Sequence, residues 1–227
     1  MIALIRYQIG LLLRSHRWVG PVILYATGVV VIGIGGSGGQ PLSTGLDWSA
    51  AVLVPTAAWL TRSALTAEPT AARACTAAAG NPFKTHLSVL VAGLGCGAVL
   101  ALVGAAYQVV TDTRPHGGVL PLVTAIAVGL ATAAICLGMG SAVGAFFNPP
   151  VVRRTAYAIL STMSAVIIVL VVGISPANAT LQQIRSHSHI GAWLPGLFES
   201  AILLALAWTV STMLAVRRVG WTSVDDD

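Results

Sequence analysis

Between Gly33 and Gly39 the run GIGGSGG carries two chemical patterns at once. Gly33, Gly35 and Gly38 have the G-x-G-x-x-G spacing with which a strand-to-helix turn cradles a pyrophosphate on backbone N–H groups. Gly35, Ser37 and Gly39 have the G-x-S-x-G spacing of a nucleophile elbow, where a serine hydroxyl attacks an acyl carbon with a histidine as base. The surrounding residues exclude both. A dinucleotide turn needs a helix directly after it and an acidic residue about 20 positions on, whereas Gln40 and Pro41 follow here and Asp47 comes too early. An elbow needs an acid and a histidine on a soluble sheet, and no soluble sheet is expected from this sequence.

Gly35 to Gly38 also resembles the G-x-S-G serine motif of rhomboid proteases, a chemistry that needs a histidine inside a neighbouring span. His16, His86, His116, His187 and His189 all lie outside the apolar blocks or at their edges. Ser37 is thereby left without a base, and the glycines read as a helix end where the chain turns. His187 and His189 form an H-x-H pair, and imidazoles bind zinc or copper, but two ligands make no site and no metal is expected. Cys75, Cys96 and Cys136 form no C-x-x-C pair and read as small apolar residues. Asp47 and Glu199, at the ends of apolar blocks, are the nearest candidates for a polar substrate contact, each with an interfacial, solvated role expected. No G-x-x-x-x-G-K-[ST] occurs, so the chain is expected to be no enzyme, and any ATPase must be a separate subunit.

The elements that carry these residues are set by composition. Only 8% of the 227 residues are charged, 56% are hydrophobic and the mean hydropathy is +0.86, whereas a soluble domain carries roughly a quarter charged residues. This is the composition of an all-α membrane protein. Six apolar blocks run from Trp18 to Gly36, Leu46 to Thr61, Leu87 to Val110, Val119 to Phe147, Thr155 to Ile174 and Gly196 to Val216. Each approaches the ~20 residues a helix needs to cross a bilayer. In a six-span layout Arg6, Arg14, Arg17, Arg62, Arg73, Lys84, Arg153, Arg154, Arg217 and Arg218 share one side, leaving Arg114 and Arg185 on the other. The positive-inside rule then puts both termini in the cytoplasm. The net charge of +5 has that cause, and no nucleic-acid partner is expected.

Residues 1–17 read as an interfacial helix, with Ile2, Ile5, Ile9, Leu12 and Leu13 on the lipid side and Arg6, Arg14 and Arg17 toward anionic headgroups. The 18–218 region is the spanning domain and 219–227 a cytoplasmic tail. Within the 62–86 loop, Pro69 to Ala79 predicts a short helix, with Pro69 in its first turn, Glu68 at its positive end, and Gly80, Asn81 and Pro82 ending it. A short, alanine-surfaced helix of this kind reads as something a partner grips. Pro149 and Pro150 make a tight turn, and the 175–195 loop mixes apolar and polar residues as a re-entrant outer segment does. Gly93 with Gly97 and Gly140 with Gly144 have the small-xxx-small spacing of close helix contacts. Pro55 is expected to bend the second span between Trp48 and Trp59. No span carries a charge at its middle, which argues against a proton relay or ion pump.

MIALIRYQIGLLLRSHRW, LTRSALTAEPTAARACTAAAGNPFKTHL and the Ser175 to Pro195 loop, in this order around six spans, resemble the plan of the ABC type-2 transporter permease family. The E-P-x-x-A-R of Glu68 to Arg73 followed by G-x-P before the third span is similar to small exporter permeases of high-GC Gram-positive bacteria. The resemblance implies a connecting helix at 1–17 and a coupling helix at Pro69 to Ala79 docking on a separate nucleotide-binding subunit through Glu68, Pro69, Arg73 and Ala77. It implies ATP and Mg on that partner and no cofactor on this chain. It also implies a second permease copy or a sister permease, an outer gate at Trp193, Leu194 and Glu199, and residence in a bacterial cytoplasmic membrane. The Ala, Val, Leu and Gly of the spans favour a hydrophobic or amphipathic cargo, such as a drug, antibiotic, peptide or lipid. Two other classes compete: a non-transporting assembly or sensory subunit that uses the same loop, and an intramembrane enzyme, which the lack of buried ionisable residues disfavours.

Overall fold

A computed structural model of the chain describes residues 1–35, 42–79, 81–111, 122–148, 151–152, 154–172 and 193–221. All secondary structure among them is helical: α1 (Ile2–Arg14), α2 (Val19–Gly35), α3 (Leu42–Ala67), α4 (Thr70–Ala79), α5 (Pro82–Thr111), α6 (Leu122–Phe146), α7 (Thr155–Val171) and α8 (Trp193–Trp221). Among the described residues, three segments are long and apolar enough to cross a membrane: Pro82–Thr111, Leu122–Phe146 and Leu194–Arg217. Val19–Val31 and Thr155–Val171 are apolar but shorter. Ser37, the His187/His189 pair and most of the 175–195 loop lie outside the described residues.

The second apolar block is the largest departure from expectation. Sequence reading confines it to Leu46 to Thr61, whereas α3 runs for 26 residues and buries Asp47, Ser49, Thr56, Thr61 and Ser63 along with its apolar side chains. The reason is its place at the centre of the bundle, packed on α2, α5, α6 and α7. A helix sheathed by other helices needs no apolar surface against lipid, so its polar flanks hide its true length. The helix continues through Pro55.

Helix directions follow from the contacts. Gly20 lies against Trp59 and Gly28 against Val52, so α2 and α3 are antiparallel; Gly45 against Gln108 and Gly93 against Thr61 set α5 antiparallel to α3. α6 runs parallel to α3: Gly129 meets Leu46, Gly140 meets Val54 and Gly144 meets Ala58 and Thr61. The approach is close enough that a Cβ on Gly140 would lie 2.4 Å from the Val54 carbonyl oxygen, and one on Gly144 2.7 Å from that of Ala58. Gly93 and Gly97 divide between two neighbours, α3 and Leu137 of α6. Both glycine pairs are used within the chain. Hydroxyls reinforce this centre: the Trp208 indole N–H donates to Ser141 Oγ at 3.3 Å, and Thr61 Oγ1 donates to the same oxygen at 3.4 Å.

At the chain start, α1 departs from a purely interfacial helix. Gln8 and Leu12 are buried and the helix packs on α5 and α3, while Ile2 and Leu13 are exposed. The exposed pair marks the side left for lipid. A tight corner follows, in which Ser15 Oγ donates to Leu12 O, Val19 N–H donates to His16 O, and His16 takes a positive φ of 55°. That left-handed conformation costs a non-glycine residue roughly 1–2 kcal/mol, and it turns the chain from α1 into α2.

Candidate functional site

The directions above gather Arg6, Arg14, Arg17, Arg62, Arg73, Lys84, Arg154 and Arg217 at one end of the bundle. The corner between α3 and α4 lies there, and its principal acid is Glu68. Only 4% of Glu68 is exposed. Gln8 Nε2 donates to its Oε2 at 3.2 Å, Thr76 Oγ1 to its Oε1 at 3.2 Å, and the Tyr7 hydroxyl to Oε1 at 3.4 Å. One carboxylate thus ties α1, the end of α3 and α4 together across about 60 residues of sequence. Burial, then the Glu68 charge and its hydrogen bond, push the Tyr7 phenol above its usual range, so it stays protonated as a donor.

Arg73 completes the corner. Its Nη2 donates to the carbonyl oxygens of Leu65 and Glu68, and Arg17 Nη1 donates to that of Thr66. The last carbonyls of a helix have no intrahelical donors and carry the negative end of its dipole. Two guanidinium groups therefore cap α3. Burial lowers the pKa of Arg73 and the charge of Glu68 opposes that shift.

α4 begins one residue later than expected. Pro69 precedes it, and its carbonyl accepts from Arg73 N–H at 3.0 Å. Its end at Ala79 is as expected, and Pro82 in addition opens α5. Proline suits a first helical position because its missing N–H has no partner to lose there, and Asn81 Oδ1 accepts the next free donor, Phe83 N–H, at 2.9 Å. α4 rests chiefly on α5. Pro69, Cys75 and Ala78 are exposed along it. Arg73 and Thr76 are half-buried, and the Ala77 side chain lies outside the described residues.

Sequence reading expects Glu68 to be offered outward, whereas it faces inward with its bonds made inside the chain. The missed partners are Tyr7 and Gln8, and nothing local in the sequence links them to Glu68. A second missed pair is His86, whose Nε2 lies 2.9 Å from Ser211 Oγ, joining the start of α5 to the end of α8. Serine beside histidine is a nucleophile–base geometry, but both are buried, so the pair ties two helices together.

At the opposite end, Asp47 is only 2% exposed, which corrects its expected solvated role; its position on the sheathed helix α3 is the cause. Glu199 is exposed, as is Leu194. Trp193 opens α8, and its side chain lies outside the described residues. Between the basic-end halves of α6 and α8, Val143, Phe146, Phe147, Leu206 and Val210 line part of an apolar groove of about 260 Å3. Among the described residues, no three His, Cys, Asp or Glu side chains stand together as metal ligands.

No protein-family model, curated protein or solved structure matches this chain. Its functional reading rests on the geometry.

Proposed function

We propose that this chain is the membrane-embedded permease subunit of an ABC exporter, crossing the bilayer six times with both termini in the cytoplasm and driven by ATP hydrolysis on a separate subunit. The observation that carries the reading is α4: a ten-residue helix at the basic end, lightly packed on its own chain but rooted firmly in it. Motion transmitted to a bundle needs both properties, an outer face free for a partner and a stiff attachment. Glu68 and Arg73 supply the attachment, so a displacement of α4 is passed to α1 and α3 together. Pro69, Cys75 and Ala78, with Ala77 in the same helix, supply the contact.

The alternating helix directions support six crossings. The 17-residue helices α2 and α7 lie within the usual range for a span of roughly 17–25 residues. The parallel pair of α3 and α6 forms the rigid middle, and the remaining helices offer apolar faces to lipid or to a second permease. Leu194 and Glu199, with Trp193, stand at the outer end as gate residues. The apolar groove between α6 and α8 supports a hydrophobic or amphipathic cargo.

Cys75 gives the test, because it is exposed on α4 whereas Cys136 is buried. A chain carrying Cys96→Ala and Cys136→Ala is labelled at Cys75 with a photo-crosslinker in membranes of its own host cell, and the crosslinked proteins are identified. The expected result is a crosslink to a P-loop ATPase and loss of permease-stimulated ATP hydrolysis on labelling. A Cys75 crosslink to a partner without a P-loop would replace the permease with an assembly or sensory subunit. No crosslink to an ATPase in assembled membranes would remove the reading altogether.

A further inference from the structure

We propose that α1 is a lipid-responsive arm: anionic phospholipid headgroups bind along its exposed row of Arg6, Gly10 and Arg14, and α1 transmits that binding to α4 through Tyr7, Gln8 and Glu68. The inference rests on the six-span embedding proposed above and needs no ATPase. The level of α1 in the bilayer follows from what comes after it. A corner of four residues joins it to the apolar helix α2, so α1 lies where that helix leaves the hydrocarbon. Trp18 stands in this corner, its indole N–H donating to Leu13 O at 3.1 Å, and tryptophan is enriched at the membrane–water boundary.

The sides of α1 differ in what they meet. Gln8 and Leu12 are buried, and the helix packs on α5 and α3. Ile2, Ile9 and Leu13 recur at the helical period; Ile2 and Leu13 are exposed and Ile9 is half-buried, which leaves an apolar edge for acyl chains. Beside that edge Arg6, Gly10 and Arg14 stand four apart in one row, and both arginines are exposed. A Cβ on Gly10 would meet nothing within 4 Å, so the row is open between the two guanidinium groups. Neither arginine makes a hydrogen bond or ion pair within the described residues. The chain offers them no anion nearby. Asp47 is its first acidic residue and lies near the start of α3, at the other end of the bundle, while both Glu68 oxygens are engaged by Tyr7, Gln8 and Thr76. Exposed arginines beside an apolar edge, at the interface and without an acid, are complementary to an anionic membrane surface. Arginine forks also match phosphate oxygens in pairs.

Tyr7 and Gln8 make this binding felt elsewhere. They follow Arg6 directly and give two of the three side-chain donors that hold Glu68; the third, Thr76, belongs to α4 itself. When α1 lifts from the bundle, Glu68 keeps Thr76 alone and the root of α4 loosens. Lifting also takes the arginine row away from headgroup level. Anionic lipid therefore favours the seated α1, and by linkage it favours a firmly rooted α4.

The test is hydrogen exchange of the full chain in lipid nanodiscs of phosphatidylcholine, with and without phosphatidylglycerol, read segment by segment by mass spectrometry. Phosphatidylglycerol should slow exchange in both α1 and α4 by about fivefold, the factor expected for one basic residue near an anionic surface. Arg6→Gln plus Arg14→Gln should abolish the slowing in both helices, whereas Lys84→Gln plus Arg154→Gln, which remove exposed charges from the same end, should keep it. Tyr7→Phe plus Gln8→Ala should keep the slowing in α1 and lose it in α4. The wild type decides without any variant: no slowing in α1 overturns the lipid site, and slowing in α1 without α4 overturns the transmission. Loss of the effect in the Lys84 and Arg154 variant would assign it to the general charge of this end and overturn the arginine row. Slowing of α4 that survives Tyr7→Phe plus Gln8→Ala would overturn the route through Glu68. A chain that does not co-elute with the discs removes the membrane embedding and the lipid arm together, whereas one that co-elutes but ignores phosphatidylglycerol removes the arm alone.

Discussion

Glu68 shows how far one side chain's meaning depends on what folds back onto it. In sequence it precedes a proline and a short helix and reads as a charge offered to a partner. In the fold it accepts from Tyr7, Gln8 and Thr76 and is almost wholly buried. Replacing it with glutamine keeps the shape but removes the charge and one oxygen. Glu68→Gln should therefore lower the stability of the purified chain by about 1–3 kcal/mol, read as a lower unfolding temperature in detergent. Gln8→Ala should lower it by less, and the double variant by less than the sum, because both remove the same bond. Additive losses would mean that α1 and the α3–α4 corner are not coupled through this carboxylate. The E-P-x-x-A-R pattern is visible in sequence; its inward orientation is not, because the donors sit about 60 residues away.

At the level of elements, the parallel pair of α3 and α6 organises the bundle, and its closeness depends on glycine. A methyl group on Gly140 or Gly144 would meet backbone oxygen, which cannot swing aside as a flexible side chain can. Gly140→Ala should accordingly destabilise by about 1–3 kcal/mol. Gly95→Ala, where a Cβ meets nothing within 4 Å, should be neutral or stabilising by up to about 1 kcal/mol, because alanine is the better helix former. Thermal unfolding of the two variants in the same detergent checks the contrast, and equal effects would refute the close α3–α6 contact. The glycine spacing was legible in sequence, but spacing does not say which helix is met: Gly140 and Gly144 face α3, while Gly93 and Gly97 face different neighbours. The second apolar block misled for a related reason, since apolar length measures contact with lipid and α3 is covered largely by protein.

For the whole molecule, the proposed topology with α4 on the cytoplasmic side can be tested directly. In inverted membrane vesicles a membrane-impermeant maleimide should label Cys75 on the exposed outer side of α4, and in right-side-out vesicles it should not. Cys136, buried between helices, should react in neither until the protein is unfolded. Labelling of Cys75 from the extracellular side would reverse the orientation and move the proposed ATPase contact out of reach of ATP.

The sequence by itself determined that the chain is helical and apolar enough for a membrane, that its basic residues gather at one end, and that a short helix interrupts the spans between Ala67 and Pro82. These follow from local quantities: hydropathy, helix propensity, and the positions of proline and arginine. Only the tertiary structure decided that α3 is the central helix, that Asp47 and Glu68 are buried, that His86 meets Ser211, and that Arg17 caps the end of α3. Each of those depends on which helix covers which face, and residues that meet across 49 to 125 positions leave no periodic trace in either partner's neighbourhood.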